Sequence, residues 1–277
     1  ERGFRLGRLS LPQDVSELEA LPDAMRNRSV PLISDADKRL MQDCLLYEDA
    51  SIMAFSKPSG LAVQTRGNRG RSFDHLLWAF ARSNGKRPRL VHRLDAGTSG
   101  ILIVGRTKPA TAFLADAFAR RDVEKVYFAL VRGTGPERSS GEIRFSLMTS
   151  GRKSIVTDST DPKMASLTRW QRVAPGKEMA SATGDSGATL LQVEPLTGRM
   201  HQIRAHLAHL GWPIIGDALY GDADEYDPSA SPRLMLHAQR LSVPHPEGGE
   251  QTFEAPLPED FRQILTQFGV QPPPGSV

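Results

Sequence analysis

The feature that most constrains the fold of this 277-residue chain is a series of short apolar runs separated by polar, glycine-containing segments. Runs of this length that are bounded by turn residues indicate β-strands. We predict strands at 51–55, 61–63, 90–93, 101–104, 125–131, 142–147, 165–173 and 188–194. The segment 125–131 is apolar on both faces, which is typical of a central strand. The chain is therefore predicted to be built around a sheet.

Helical periodicity is confined to fewer segments. Ser72 is a predicted N-cap for a helix to Arg82, and Thr107 caps a second helix with apolar residues at helical spacing. A short helix is predicted at 200–210 and a weaker one at 261–268. The stretches 150–162 and 174–187 are interpreted as hairpin tips or surface loops. Because strands outnumber helices and do not alternate with them regularly, the sequence predicts an α+β fold.

Composition and spacing exclude several kinds of site. Cys44 is the only cysteine, which excludes an internal disulfide and a multi-cysteine metal centre and indicates a reducing compartment. No apolar run approaches the roughly 18 to 20 residues of a membrane span, so no membrane association is expected. His201, His206 and His209 lack the i, i+4 spacing of a helical zinc site. Neither a P-loop nor a Gly-x-Gly-x-x-Gly motif follows a predicted strand, so we expect no metal and no nucleotide cofactor.

Basic residues concentrate between residues 66 and 93, although the net charge of the whole chain is only +3. In this stretch Asp74 is the only acidic residue. A positive face of this kind is typical of a polyanion-binding protein, and the guanidinium group suits phosphate. We predict that the following residues contact a nucleic-acid backbone: Arg66, Arg69, Arg71, Arg87 and Arg89. A merely solvated surface is the alternative interpretation.

Asp95 and Arg204 are candidates for a catalytic pair. Asp95 begins a loop rich in glycine, threonine and serine, where a carboxylate can lie at the rim of a cleft or simply bond its own backbone. Arg204 lies about 40° from the start of the apolar stripe of the helix at 200–210. A guanidinium at the edge of a core needs a carboxylate partner. We predict that this partner is Asp95, with Glu194 and Asp217 as the alternatives.

Tyr127 lies in the middle of a predicted strand, between apolar neighbours. This position is typical of a core aromatic residue whose hydroxyl group is hydrogen-bonded. In a site for an extruded base, the same ring stacks on the base and its hydroxyl group transfers a proton. Both interpretations are compatible with the local sequence.

Six motifs follow one another in the chain: Lys57-Pro58-Ser59-Gly60, His92-Arg93-Leu94-Asp95 with Thr98-Ser99-Gly100, Lys125-Val126-Tyr127, the run from Gly198 to His206, Gly216-Asp217-Ala218-Leu219-Tyr220-Gly221, and Leu236-His237-Ala238. With their surroundings they span residues 46 to 262. In order and spacing they resemble the RluA-type pseudouridine synthases, in particular the branch that acts on ribosomal large-subunit RNA. The resemblance implies a mixed, mainly antiparallel sheet flanked by helices and loops.

The resemblance also implies a reaction, the isomerisation of selected uridines in structured RNA without metal or cofactor. The N1–C1′ bond breaks, the uracil rotates, and C5 is joined to C1′. Asp95 is implied as the catalytic carboxylate, Tyr127 as the ring that stacks on the base and assists proton transfer, and Arg204 as the basic partner of Asp95. Arg93 is implied to fill the gap left by the extruded uridine. Further substrate contacts are implied for His92, Thr98, Arg199, His201, Gln202 and Leu236.

The resemblance divides the chain into three parts. The catalytic domain is predicted at 46–265. Residues 1–45 are predicted to be an N-terminal extension or linker without a recognisable S4-type RNA-binding module, and regular structure is expected to begin after them. Residues 266–277 are predicted to form a loose C-terminal tail.

The expected partner is RNA. Ribosomal RNA is favoured over other RNAs, including ribosomal RNA within a pre-ribosomal particle. The expected compartment is the bacterial cytoplasm or the mitochondrial matrix. The second is considered because the chain begins with Glu1 rather than Met, and Arg2, Arg5 and Arg8 are compatible with the remnant of an organellar transit peptide. The alternative function is an RNA-binding ribosome-assembly factor that retains the synthase fold with incidental or no catalysis.

Overall fold

An eleven-stranded sheet organises the part of the chain that the computed structural model describes, namely residues 31–65, 70–175, 187–221 and 233–272. Its strands are β1 (Leu45–Glu48), β2 (Ile52–Lys57), β3 (Arg89–Leu90), β4 (Ser99–Gly105), β5 (Glu124–Arg132), β6 (Ser140–Ser150), β7 (Lys153–Thr157), β8 (Ala165–Pro175), β9 (Ala188–Pro195), β10 (Leu236–Pro244) and β11 (Glu250–Glu254). The helices are α1 (Asp35–Asp43), α2 (Phe73–Leu76, continued by a 3-10 turn at Leu77–Phe80), α3 (Lys108–Arg120), α4 (Gln202–His209) and α5 (Glu259–Gln267).

The strand order is β1-β2-β4-β10-β5-β9-β8-β6-β7, with β3 paired to β4 and β11 paired to β10. The pairing between β4 and β10 is parallel, and the other strand pairs of the described sheet are antiparallel. This mixed, mainly antiparallel sheet confirms the predicted α+β fold. In the described parts of the chain, no helix is both long enough and apolar enough to cross a lipid bilayer.

Most of the predicted strands are confirmed, but the strand predicted at 61–63 is wrong. The carbonyl groups of Ala62 and Val63 accept hydrogen bonds from the backbone of Phe73 and Asp74, at the start of α2. The backbone that would have joined a strand ladder is therefore used to hold a helix. The strand predicted at 90–93 is also shorter than expected, because β3 ends at Leu90.

The loop predicted at 150–162 contains a strand, β7, which pairs with β6. Polar residues conceal this strand in the sequence, because its buried side chain is that of Ser154 rather than an apolar residue. The strands β1, β10 and β11 were not predicted either. Strand β10 supplies the central partner of both β4 and β5, so its position is decisive for the site described below.

A helix, α1, lies before residue 45 in the described part of the chain, so the expectation that regular structure begins only after residue 45 is wrong. The Ser34 side chain caps this helix, and Met41 is fully buried in a core with Phe55 and Phe73. Residues 1–30 of the predicted extension lie outside the described residues. At the other end, α5 runs to Gln267 and Val270 is buried, so the first residues assigned to the tail pack on the domain.

The short parallel contact between β4 and β10 positions the loop that contains Asp95. Gly100 at the start of β4 lies opposite Ala238 on β10, and Ala238 in turn lies opposite Tyr127 on β5. Gly100 has a φ of +110°, and a Cβ atom at this position would lie 2.1 Å from the Ala238 carbonyl oxygen. Only glycine allows the two backbones to approach this closely.

We predict that Gly100→Ala destabilises the fold by about 3 kcal/mol or more, because the new methyl group meets backbone at a strained φ. Gly151→Ala is the matched control, since Gly151 also has a positive φ of 59° but nothing lies within 4 Å of its added Cβ. This control should lose only about 1–2 kcal/mol. Urea unfolding followed by circular dichroism measures both, and equal losses would contradict the close approach.

Two fully buried imidazoles support the sheet as neutral groups. His206 hydrogen-bonds Ser166 and Thr168 through its two ring nitrogens. His237 hydrogen-bonds the Ser99 hydroxyl group and lies 3.2 Å from the Ala255 carbonyl oxygen. Burial lowers the pKa of each ring to about 4.

These pKa shifts predict a loss of stability in weak acid. Between about pH 6.5 and pH 4, His206 and His237 are protonated in the unfolded chain but neutral in the folded protein. The unfolded state therefore binds more protons, and stability falls as pH falls. The expected loss between pH 7.5 and pH 5.0 is about 4 kcal/mol for the two groups together. Urea unfolding at the two pH values measures it. His206→Gln should reduce the loss by about 2 kcal/mol, which is the share of one such ring, and a flat profile would refute the prediction.

Candidate active site

A cleft of about 710 Å³ opens where the loop before β4, the start of β5 and the segment between β9 and α4 meet. Its lining includes all ten residues for which the sequence predicts catalysis or substrate contact, namely His92, Arg93, Asp95, Thr98, Tyr127, Arg199, His201, Gln202, Arg204 and Leu236. Its volume is in the range of about 300–1,000 Å³ that is usual for small-ligand sites. The fold thus brings together residues that are separated by more than a hundred positions in the sequence.

Two charged side chains that line the cleft, Asp95 and Arg204, are joined to a third, Asp217, that is buried behind them. The guanidinium of Arg204 donates to Asp95 Oδ2 at 3.2 Å and to both carboxylate oxygens of Asp217, at 2.8 and 2.7 Å. The predicted pair between Asp95 and Arg204 is therefore present, and the alternative partner Asp217 is present as well. The side chain of Asp217 is 0% exposed, that of Arg204 is 11% exposed, and that of Asp95 is 27% exposed. Asp95 is the member that faces the open cleft.

Asp217 is held by the turn that follows it. Its Oδ1 atom accepts backbone N–H bonds from Leu219 at 3.0 Å and Tyr220 at 3.1 Å. Burial opposes the charge of Arg204, but the hydrogen bonds to Asp217 outweigh it and raise the pKa of Arg204. The guanidinium therefore stays charged and has one direction left for Asp95.

The motif Lys57-Pro58-Ser59-Gly60 forms hydrogen bonds to the backbone of the Asp95 loop. The fully buried Lys57 ammonium donates to three carbonyl oxygens, those of Pro58, Leu61 and Ala96. The Ala96 carbonyl also accepts from the Gly60 backbone N–H at 2.8 Å. Burial lowers the pKa of Lys57 to about 7. Lys57 thus positions the Asp95 loop, a contact that the sequence motif alone does not predict.

His201 lies on the other side of Asp95, with its Nε2 atom 3.7 Å from Asp95 Oδ1. It is the N-cap of α4 and has a left-handed φ of 51°. Its Nδ1 atom hydrogen-bonds the Tyr220 hydroxyl group at 3.1 Å, and that hydroxyl accepts the backbone N–H of Ser154 on β7 at 2.6 Å. Through His201, Tyr220 therefore links the β6–β7 hairpin to the Asp95 carboxylate, and its ring faces the Arg204 guanidinium at 5.1 Å.

Tyr127 lies on β5 beside the Asp95 loop and lines the cleft together with the buried Leu236. Burial and the negative charge of Asp95 raise the pKa of the Tyr127 hydroxyl. This hydroxyl therefore stays protonated at physiological pH and can donate a hydrogen bond. The ring and Leu236 offer apolar surface on which a flat base can stack.

Some of the predicted substrate contacts use their polar atoms inside the protein. The Gln202 amide accepts from the Thr197 hydroxyl and the Arg199 N–H, and donates to the Leu167 carbonyl and the Thr168 hydroxyl. The amide has no polar atom without a protein partner. Gln202 thus fixes the start of α4 against β8.

His92 and Thr98 are held in a similar way. The Nε2 atom of His92 accepts the Ile103 backbone N–H at 3.0 Å, and the ring stacks on Phe118 with centroids 4.5 Å apart. Burial lowers the pKa of His92 to about 3, so the ring is neutral. Thr98 is buried, and its N–H donates to the Asp95 carbonyl at 3.1 Å. Both residues shape the loop that carries Asp95. Arg93, in contrast, is exposed at the rim.

Of the arginines predicted to contact the RNA backbone, the three that the structure describes, Arg71, Arg87 and Arg89, do not line the cleft. Arg66 and Arg69 lie outside the described residues. Arg71 pairs with Asp37 of α1 at 2.8 Å, an acidic partner that the local sequence does not contain. The surface that the sequence predicts to be uniformly positive is partly neutralised here.

Arg87 is also paired. Its guanidinium contacts both carboxylate oxygens of Asp74, at 2.9 and 3.1 Å, and lies 5.4 Å from the centre of the Trp78 ring. Arg89 is exposed on β3. Among the described residues, the cleft lining instead contains the cations Arg121 and Lys125, which the sequence reasoning did not assign to the site. No cluster of three His, Cys, Asp or Glu side chains in the described parts of the chain is placed to hold a metal ion.

Comparison with known proteins identifies the family. Residues 51–209 match the sequence model described as RNA pseudouridylate synthase. The tRNA pseudouridine synthase C of Salmonella typhi is 36% identical over 237 residues, which cover 81% of this chain and 89% of that protein. The ribosomal large subunit pseudouridine synthase C of Rickettsia bellii is 36% identical over 231 residues, which cover 82% of this chain and 72% of that protein.

A solved structure shares the fold. The human RNA pseudouridylate synthase domain containing 4 superposes with a TM-score of 0.69 at 22% identity, over 85% of this chain and 97% of that one. The similarity confirms the predicted architecture, and the sequence matches confirm the resemblance that the six motifs indicate. This chain belongs to the RNA pseudouridylate synthase family.

Proposed function

We propose that this RNA pseudouridine synthase binds one extruded uridine of a structured RNA in the cleft and isomerises it beside Asp95. Large-subunit ribosomal RNA is the first of two candidate substrates. The observation that carries the proposal is the placement of Asp95. Its carboxylate is the exposed end of a buried charged chain from Asp217 through Arg204, and it faces a cleft of about 710 Å³. The cleft has the size for one nucleotide, and extrusion is how enzymes reach a base within paired or stacked RNA.

The reaction needs a group that acts at the glycosidic bond and a route for one proton. The N1–C1′ bond breaks, the C5–C1′ bond forms, C5 loses its proton, and N1 gains one, so the product is an isomer. We assign the action at the glycosidic bond to Asp95, whose Oδ2 atom accepts a hydrogen bond from the Arg204 guanidinium at 3.2 Å. We assign the proton transfer to Tyr127, whose hydroxyl remains protonated beside Asp95.

Holding the base outside its helix has an energetic cost of a few kcal/mol. In the proposed complex, stacking on Tyr127 and Leu236 offsets part of this cost. Arg93, exposed at the rim of the cleft, occupies the space that the uridine leaves. Each of these roles uses a side chain that lines the same cleft.

Two RNA classes are candidate substrates. Large-subunit ribosomal RNA, met in a pre-ribosomal particle, is supported by the similarity to the ribosomal large subunit pseudouridine synthase C of Rickettsia bellii. Transfer RNA is supported by an equal identity to the tRNA pseudouridine synthase C of Salmonella typhi. The bacterial cytoplasm or the mitochondrial matrix is the proposed compartment, since both hold these RNAs under reducing conditions, which suit a chain with a single free cysteine.

The arrangement of the site favours an enzyme over a ribosome-assembly factor that binds RNA without catalysis. A protein that only binds RNA has no need for a buried acid such as Asp217 to orient the Arg204 guanidinium toward the exposed carboxylate of Asp95. Family membership points in the same direction.

We predict that Asp95→Asn abolishes pseudouridine formation while RNA binding stays within about twofold. The amide keeps the shape of the side chain but removes the charge, so turnover should fall by about 1,000-fold or more. The assay incubates the protein with unmodified large-subunit rRNA and unmodified tRNA transcripts. Pseudouridine is then mapped by carbodiimide-dependent primer extension.

Asp116→Asn is the control for this experiment, because Asp116 is an exposed acid of α3 that pairs with Arg120. It should retain full activity. If the Asp95→Asn variant forms pseudouridine at the wild-type rate, the assignment of Asp95 fails. If RNA is bound tightly but wild-type protein leaves both RNAs unmodified, the assembly-factor alternative gains support.

We predict that Arg204→Ala both destabilises the fold and abolishes turnover. The variant leaves the fully buried Asp217 carboxylate without its cation, which costs about 3 kcal/mol or more. Arg204→Lys keeps a positive charge near Asp217 but cannot donate to both carboxylates at once, so it should recover part of the stability and little of the activity. Urea unfolding and the pseudouridine assay measure the two effects. Normal turnover in Arg204→Ala would eliminate the proposed role.

A further inference from the structure

The cleft has a second wall that none of the assigned roles uses. It is formed by the C-terminal half of α3 and the beginning of β5, and its lining residues are Ala115, Phe118, Ala119, Arg121 and Lys125. This wall contributes two cations, Arg121 and Lys125, to the lining of the cleft. The Asp95 loop and the segment before α4 contribute Arg93 and Arg199 to the same lining.

Two adjacent arginines at the end of α3 have different surroundings. Arg120 is the last helical residue, and its exposed side chain pairs with Asp116 at 3.4 Å and Asp122 at 3.1 Å. Arg121 is the C-cap and has a left-handed φ of 65°. Of the two, Arg121 is the one that lines the cleft.

Lys125 lies next to Arg121 on the same wall. It precedes Tyr127 by two residues on β5, so both side chains point to the same face of the strand. Its ammonium group lies 3.5 Å from the Thr197 carbonyl oxygen. Burial, together with the positive charge of Arg121, lowers the pKa of Lys125 to about 8. Lys125 is thus a desolvated cation with a second cation beside it.

In the described parts of the chain, neither Arg121 nor Lys125 forms an ion pair with a carboxylate, whereas Arg71, Arg87, Arg120 and Arg204 all do. Two like charges in a partly desolvated wall repel each other, and an anion between them relieves the repulsion. A charge-assisted hydrogen bond to a phosphate also replaces the hydrogen bonds to water that the Lys125 ammonium group has lost through burial.

We propose that Arg121 and Lys125 form a binding site for an RNA phosphate next to the extruded uridine. The inference rests on the proposed function, because a nucleotide that enters the cleft carries a phosphodiester on each side, and these groups must lie at the rim. Arg121 and Lys125 then bind the RNA backbone on one side of the extruded uridine, while Tyr127, two residues after Lys125 on β5, stacks on the base. The site grips the backbone without reading the sequence.

The test compares Arg121→Gln and Lys125→Gln with the matched control Arg120→Gln. Filter binding of unmodified large-subunit rRNA and tRNA transcripts gives the Kd over a series of salt concentrations, and single-turnover assays at saturating RNA give the rate. Each of the two site variants should weaken binding by about tenfold, and the slope of log Kd against log salt should fall by about 0.7. The rate at saturating RNA should change by less than about threefold.

Arg120→Gln should behave as wild type in both measurements, because its side chain faces Asp116 and Asp122 rather than the cleft. Lys125→Arg should recover most of the affinity, since the charge is kept, and circular dichroism checks that each variant is folded. If Arg121→Gln and Lys125→Gln match Arg120→Gln while wild type forms pseudouridine, the phosphate site is refuted and the proposed function stands. If wild type modifies neither RNA, the proposed function fails, and the salt slopes still decide whether this wall binds phosphate.

Discussion

The buried ion pair between Arg204 and Asp217 is the interaction on which the rest of the site depends. Asp217 has no exposed side-chain surface, and its carboxylate accepts hydrogen bonds from the guanidinium and from two backbone N–H groups of the turn after it. A pair of this kind adds little net stability, because desolvation offsets most of the attraction. Its effect is directional. With two nitrogens fixed on Asp217, the third nitrogen of Arg204 has one position, and that position is at Asp95.

The backbone of the Asp95 loop is fixed as firmly as its side chain. Lys57 and Gly60 bind the Ala96 carbonyl from below, and the Ser59 hydroxyl group donates to the Gly97 carbonyl at 2.7 Å. A short parallel contact with β10 then determines where β4 starts. Pre-organisation of this kind places the carboxylate before the substrate arrives, so little reorganisation remains for the reaction itself.

Two groups of positive charges differ in their surroundings. Those of Arg71, Arg87 and Arg120 are paired with acids of the same domain, and they contribute to the surface as ion pairs. Those of Arg93, Arg121, Lys125 and Arg199 line the cleft. A net charge of +3 therefore understates how positive the cleft itself is. Local concentration of charge, rather than total charge, is what draws a phosphate backbone to one opening.

The sequence by itself determined the fold class, the family and ten residues of the cleft, because strand periodicity and six ordered motifs are local properties of the chain. It did not reveal β7 or α1, whose short polar or proline-flanked sequences carry weak local signals and are held by buried residues such as Ser154 and Met41. It also left the partner of Arg204 open between acids far apart in the chain. Only the tertiary structure decided that Asp95 and Asp217 share one guanidinium, that Arg71 is neutralised by Asp37, and that Arg121 faces the cleft while Arg120 does not. Each of these outcomes depends on distance in space, which periodicity and spacing along the chain do not encode.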